Sequence, residues 1–182
     1  MRPISDFENV KASDEGGQRP EAGGYVVQIT KATDVPEKEY LLVEFDIAEG
    51  EHAGYCSATY GKFGTWPTLG KTYRSYKGKA VGMFKSFTEA LEKSPENMGY
   101  TWDWNEKNLP GKIFGAVLGE EEFIGQDGSV KTGLKLMRCL PTDAIRSGDF
   151  KVPPVKKLKD SDRPAAAQGG AFTDISADDI PF

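Results

Sequence analysis

Residues Gly64-Thr65-Trp66-Pro67-Thr68-Leu69-Gly70-Lys71-Thr72 come close to a phosphate-cradling loop, in which glycine amides and one lysine hold a nucleotide's phosphates. Five residues separate the two glycines where that loop needs four, Pro67 removes an amide, and no apolar strand runs directly into it, so this chemistry is not expected. Glu120, Glu121 and Glu122 could offer carboxylates to a divalent metal, as a nuclease would need. Successive strand residues face opposite sides, however, and three in a row cannot converge. A solvated strand end is the expectation. His52 is the sole histidine and has no nucleophile beside it. Cys56 and Cys139 lack a CxxC spacing or a neighbouring histidine, so reduced, buried thiols are expected and no zinc site. The chain is expected to be no enzyme and to carry no metal or cofactor.

Binding chemistry is better represented. Between Gly54 and Thr88 there is no acidic residue, while Lys62, Lys71, Arg74, Lys77, Lys79 and Lys85 are all basic; the remainder of residues 1–150 is strongly acidic. The same window holds eight of the twenty aromatic residues, interleaved with the cations in Tyr60-Gly61-Lys62-Phe63 and Tyr73-Arg74-Ser75-Tyr76-Lys77. A single nucleic-acid strand offers phosphates and unpaired base faces together, so a sequence-tolerant binder combines cations with flat rings. The candidate contacts are Tyr60, Lys62, Phe63, Trp66, Lys71, Tyr73, Arg74, Tyr76, Lys77 and Lys79. Tyr73 and Tyr76, among hydroxyls and cations, are expected to be exposed; Phe84 and Phe87 are expected to be core.

The elements that must position these residues read mainly as β. Tyr25 to Thr30 is a strand, Asp34 to Lys38 a turn, and Tyr40 to Ile47 a second strand that alternates at its end. Gly54 to Tyr60 is a weaker third candidate. Ala80, Met83, Phe84, Phe87 and Leu91 then fall at helical spacing, and Ser94-Pro95 ends the helix. Lys112 to Ile124 and Val130 to Leu140 follow as two strands around Asp127-Gly128, a hairpin signal. Three strands, a helix and a hairpin predict an OB-fold-like five-stranded barrel with the helix between strands 3 and 4, plus a disordered C-terminal tail. In that fold the face of strands 2 and 3, with the loops at 34–38 and 125–129, commonly binds oligonucleotides. The predicted organisation is a polar lead-in over 1–23, the barrel over 24–150, a Pro- and Gly-containing linker over 151–173, and an acidic segment over 174–182.

That last segment reads Asp174-Ile175-Ser176-Ala177-Asp178-Asp179-Ile180-Pro181-Phe182. A phenylalanine ring suits an apolar pocket, its carboxylate a basic partner, and Pro181 limits the entropy lost on docking. It resembles the C-terminal tip of bacterial single-stranded DNA-binding proteins, in which aspartates lead into Ile-Pro-Phe or Leu-Pro-Phe. The resemblance implies that Asp174, Asp178, Asp179, Ile180, Pro181 and Phe182 recruit replication, recombination and repair proteins. Being acidic, the tail is also expected to compete with DNA for a basic groove. The body, through Pro36 to Tyr40, Trp102-Asp103-Trp104 and Gly119 to Glu122, is similar to small single-stranded DNA-binding proteins of phages of Gram-positive hosts.

No run approaches the roughly 18 apolar residues of a membrane span, and Met1 to Asp6 lacks the apolar run of a signal peptide. A cytoplasmic, non-catalytic single-stranded DNA-binding protein is therefore expected, its partners being single-stranded DNA and proteins that dock on the tip. Self-association into a homo-oligomer stays open. The alternatives are an adaptor whose globular part binds protein, and a phage recombination factor that anneals strands.

Overall fold

The computed structural model describes residues 19–159 and Asp162. Five antiparallel strands form one sheet: β1 (Gly23–Val35), β2 (Tyr40–Ile47), β3 (Lys71–Ser75), β4 (Ile113–Ile124) and β5 (Val130–Leu140), in the order β3-β2-β1-β4-β5. Helix α1 (Tyr55–Phe63) connects β2 to β3, α2 (Val81–Lys93) lies between β3 and β4, and α3 (Thr142–Arg146) follows β5. The helix expected between strands 3 and 4 is thus present. So is the hairpin at Asp127-Gly128, where Gly128 takes a positive φ of 76° and its amide donates to the Gly125 carbonyl at 2.9 Å.

Period-2 patterning buries one face of the sheet. Leu41, Val43 and Phe45 of β2 point into the core with Val27 and Ile29 of β1 and Phe114 and Leu118 of β4. Helix α2 covers this face with Phe84, Phe87 and Leu91, the i, i+3, i+7 stripe that its sequence predicts. Phe87 stands edge-on to Phe114 at 5.5 Å, and Phe114 edge-on to Phe45 at 5.9 Å, so three wholly buried rings form the centre. Each contributes about 2–3 kcal/mol through burial. Asn97 clamps the far end of α2: its side-chain amide donates to the Leu91 and Ile113 carbonyls and its oxygen accepts from the Ile113 amide.

Two expectations are corrected. Gly54 to Tyr60 is not the third strand: Tyr55–Phe63 is helical, and the third strand is Lys71–Ser75. The cause lies ten residues upstream. The Asp46 carboxylate accepts from the amides of Cys56 and Ser57 at 2.8 and 2.9 Å, satisfying two donors that a helix start leaves unpaired and placing a negative charge at its positive end. Gly64, at φ 66°, closes the other end, its amide donating to the Tyr60 carbonyl.

The second correction is closure. The sheet is open, with β3 and β5 as its edges, and no backbone ladder joins them. Strand β3 offers only five residues for pairing, and Arg74 reaches from it past α2 towards β5, where it donates to the Cys139 sulfur at 3.1 Å.

Beyond α3 the chain returns to the sheet. The Lys156 amide donates to the Glu120 carbonyl and the Lys156 carbonyl accepts from the Glu122 amide, both at 2.9 Å, forming a parallel bridge beside β4. Among the described residues no helix is long and apolar enough to cross a membrane.

Candidate nucleic-acid interface

The rings singled out in the sequence are distributed along β3. At its start, Tyr60 and Phe63 project from α1, 51% and 73% exposed, and Tyr60 leans on Trp66 at 5.9 Å. Trp66 is half-buried and donates from its indole to the Gly70 carbonyl at 3.0 Å. Gly70 has no room for a side chain, since a β-carbon there would meet the Cys56 sulfur, the Phe45 carbonyl and the Trp66 indole nitrogen at 2.6–2.7 Å. The glycines that imitate a phosphate loop are therefore a helix cap and a packing contact.

Midway along β3, Tyr73 is 56% exposed and stands edge-on to Tyr40 of β2 at 5.2 Å. Alternation explains it: Thr72 and Arg74 point inward, whereas Lys71, Tyr73 and Ser75 share the outer face.

At the far end, Tyr76 is half-buried and its hydroxyl donates to Asp34 at 2.9 Å. Lost hydration and then Asp34 raise this phenol above its ordinary range, so at neutral pH it keeps its proton and the bond. Tyr76 packs edge-on against Phe84, and Trp102 and Trp104 complete the cluster; Trp104 lies nearly parallel to Phe84 at 6.3 Å. Asp34, Leu41, Tyr76, Phe84, Trp102, Trp104 and Glu106 enclose a cleft of about 140 Å³. Trp104 is 78% exposed and holds a positive φ of 60°, and the buried Trp102 indole nitrogen has no partner among the described residues. Sequence reading did not include these tryptophans among the contacts. A Trp-x-Trp pair in a polar stretch was the available signal, but nothing in the spacing tied it to Tyr76.

The cations fare differently from the expectation. Lys71 pairs with Glu44 at 3.6 Å across the β2–β3 ladder, and Lys77 with Glu39 at 3.1 Å. Lys62 and Lys79 are exposed and form no ion pair among the described residues. Arg74 is 4% exposed and so is withdrawn from the surface on which it was expected to meet phosphate. The acid-free window of sequence is therefore not acid-free in space, because β2 and the turn before it supply two carboxylates.

The glutamates of β4 have structural partners. Glu121 bonds Lys135 and Lys156, at 2.6 and 2.5 Å, and Glu122 accepts from the Leu158 amide. Those lysines hold the Glu121 carboxyl below its ordinary range. Among the described residues no three His, Cys, Asp or Glu side chains gather as a metal would require. Both cysteines are free; burial, and next the charge of Asp46, push the Cys56 thiol far up. Asp174, Asp178, Asp179, Ile180, Pro181 and Phe182 lie outside the described residues. Compared with known protein families and with curated proteins, the chain matches none.

Proposed function

We propose that this chain is a non-catalytic single-stranded DNA-binding protein whose domain is a variant OB-fold and whose C-terminal tip recruits replication, recombination and repair proteins. The observation that carries the reading is Tyr73, exposed on the β2–β3 face and braced by Tyr40, on a sheet whose strand order, with a helix between β3 and β4, is that of an OB-fold lacking its last closure. Tyr60 and Phe63, exposed on α1, are further rings that unpaired bases could meet. Exposed flat rings suit unpaired bases, and Lys62 and Lys79 suit the phosphates.

One observation favours a second reading. Asp34 and Glu106 line the aromatic cleft, and two carboxylates beside indole faces suit a cationic protein side chain better than a phosphate. The domain would then be an adaptor.

Titration of the full chain with labelled oligo-dT and with duplex of the same length, at two salt concentrations, separates the readings. Single-strand binding should be at least about tenfold tighter than duplex binding and should weaken as salt rises. Equal affinity for the two forms would sink the proposal.

A further inference from the structure

Arg74 carries a charge that nothing described in the protein neutralises. Its side chain enters the gap between β3, α2 and β5, where one guanidinium nitrogen donates to the Cys139 sulfur and the guanidinium carbon lies 6.0 Å from the Phe87 ring centroid. Among the described residues its buried Nε has no hydrogen-bond partner, and no carboxylate forms an ion pair with it. Cys139 is no counter-charge. Burial raises its thiol to about 11 despite the adjacent guanidinium, so at neutral pH the sulfur is uncharged. A buried ion in this condition is costly, and the usual remedy is an opposite charge with hydrogen-bond acceptors.

The space for one is present. A cavity of about 430 Å³ opens beside Arg74 and is lined also by Met83, Ser86, Lys93, Arg138 and Cys139. Arg138 is exposed and forms no ion pair among the described residues. Glu89 is the one carboxylate on the wall, and Lys93 at 3.0 Å and Lys85 at 3.9 Å already neutralise it. The wall is therefore net positive, with a planar, five-donor group at its base.

We propose that this cavity, between the two sheet edges that remain unjoined, is an oxyanion site that takes a phosphate group, Arg74 being its buried anchor and Arg138 its rim. A guanidinium suits this role because its fork of N–H donors matches two phosphate oxygens at once. Cys139 holds one guanidinium nitrogen and so keeps Arg74 aimed. Two sources share this chemistry, a phosphodiester of a bound nucleic-acid strand and a free phosphate compound; the first rests on the single-stranded DNA reading and the second does not.

The test begins without DNA. Thermal unfolding of the full chain in phosphate-free buffer is compared with 10 mM inorganic phosphate and with chloride at equal ionic strength. Phosphate should raise the midpoint by about 4 °C beyond chloride, the shift that a site of roughly 1 mM affinity gives a chain of this size. Arg74→Met should abolish that increment and, having removed an unpaired buried charge, should melt no lower than the parent in chloride. Arg138→Gln, a change on the exposed rim that leaves the fold intact, should weaken phosphate binding several-fold by calorimetry. An increment no larger than that of chloride, or one that Arg74→Met retains in full, overturns the site. Oligo-dT then assigns the source. A tenfold or greater loss of oligo-dT affinity in Arg74→Met supports the site as a phosphodiester subsite, whereas a lost phosphate response with unchanged oligo-dT affinity supports it as a site for a free phosphate compound. Failure of the parent protein to bind oligo-dT would count against the DNA reading alone, since the phosphate arm needs no DNA.

Discussion

Arg74 and Cys139 stand 65 residues apart in sequence, and the guanidinium of one donates to the sulfur of the other at 3.1 Å. This contact spans the two free edges of the sheet, β3 and β5, which share no backbone ladder. Each edge strand is paired on its inner side, but across the gap the two are held to one another by side chains and by α2 rather than by strand pairing. Because Arg74 faces inward, its neighbour Tyr73 must face outward, so the buried cation and the exposed ring are two outcomes of one register.

Rings that stack should be separable from rings that pack. Tyr73→Ala should lower single-strand affinity by about 1–3 kcal/mol with the melting temperature nearly unchanged. Phe87→Ala should cost about 3–5 kcal/mol of stability, because Phe87 is wholly buried between α2 and Phe114. Binding and denaturant unfolding measured on both variants decide it. A Tyr73→Ala protein that unfolds early yet binds normally would place the interface elsewhere.

Lys71 and Lys77 are restrained by Glu44 and Glu39. Glu44→Gln and Glu39→Gln should therefore strengthen oligonucleotide binding and steepen its salt dependence, since each frees a cation for a phosphate. Unchanged salt slopes in both variants would show that the strand does not pass these lysines.

How far the sequence discloses the molecule depends on whether a signal is local. The alternation in β2, the helical stripe of α2 and the Asp127-Gly128 turn are local, and the structure contains all three. Helix α1 is not locally encoded. Its start depends on Asp46, buried at the end of the preceding strand, and Tyr55 to Tyr60 carries β-compatible residues that read as a strand until that carboxylate is placed. The pairing of two of the window's lysines is hidden for the same reason: Glu39 and Glu44 lie outside the acid-free window and reach Lys77 and Lys71 only once β2 and β3 are side by side. The inward turn of Arg74 required the true limits of β3, and Trp104 joins Tyr76 only through the packing of Phe84 between them.

Acid should loosen the chain's return along β4. Glu121 has its carboxyl lowered from 4.5 by Lys135 and then Lys156, so its contribution is complete above that value and disappears as pH falls through the lower folded value. Amide hydrogen exchange at Lys156 and Glu122, corrected for the intrinsic dependence on pH, should rise in acid below the ordinary glutamate range. In Glu121→Gln it should already be faster at neutral pH. Protection that ignores both changes would assign the bridge to the backbone alone.

The tip carries the recruiting half of the proposal. Removal of Asp178 to Phe182 should leave the melting temperature unchanged and single-strand affinity equal or slightly higher, while capture of replication and repair proteins from a host lysate collapses. Phe182→Ala should do nearly as much, since one aromatic anchor commonly carries at least about 2 kcal/mol of a small interface. Equal recovery by intact and truncated chains would set the resemblance to the bacterial tip aside.

Trp104 occupies a backbone conformation that suits glycine, and 78% of its surface faces water. A bulky residue at positive φ costs on the order of 1–3 kcal/mol, and an exposed indole recovers only part of that through Phe84 and Trp102. Selection for thermostability alone would place glycine there. Trp104→Gly is accordingly expected to melt no lower than the parent by calorimetry while losing affinity for whichever ligand the cleft accepts, so this position is one where durability and recognition pull in opposite directions.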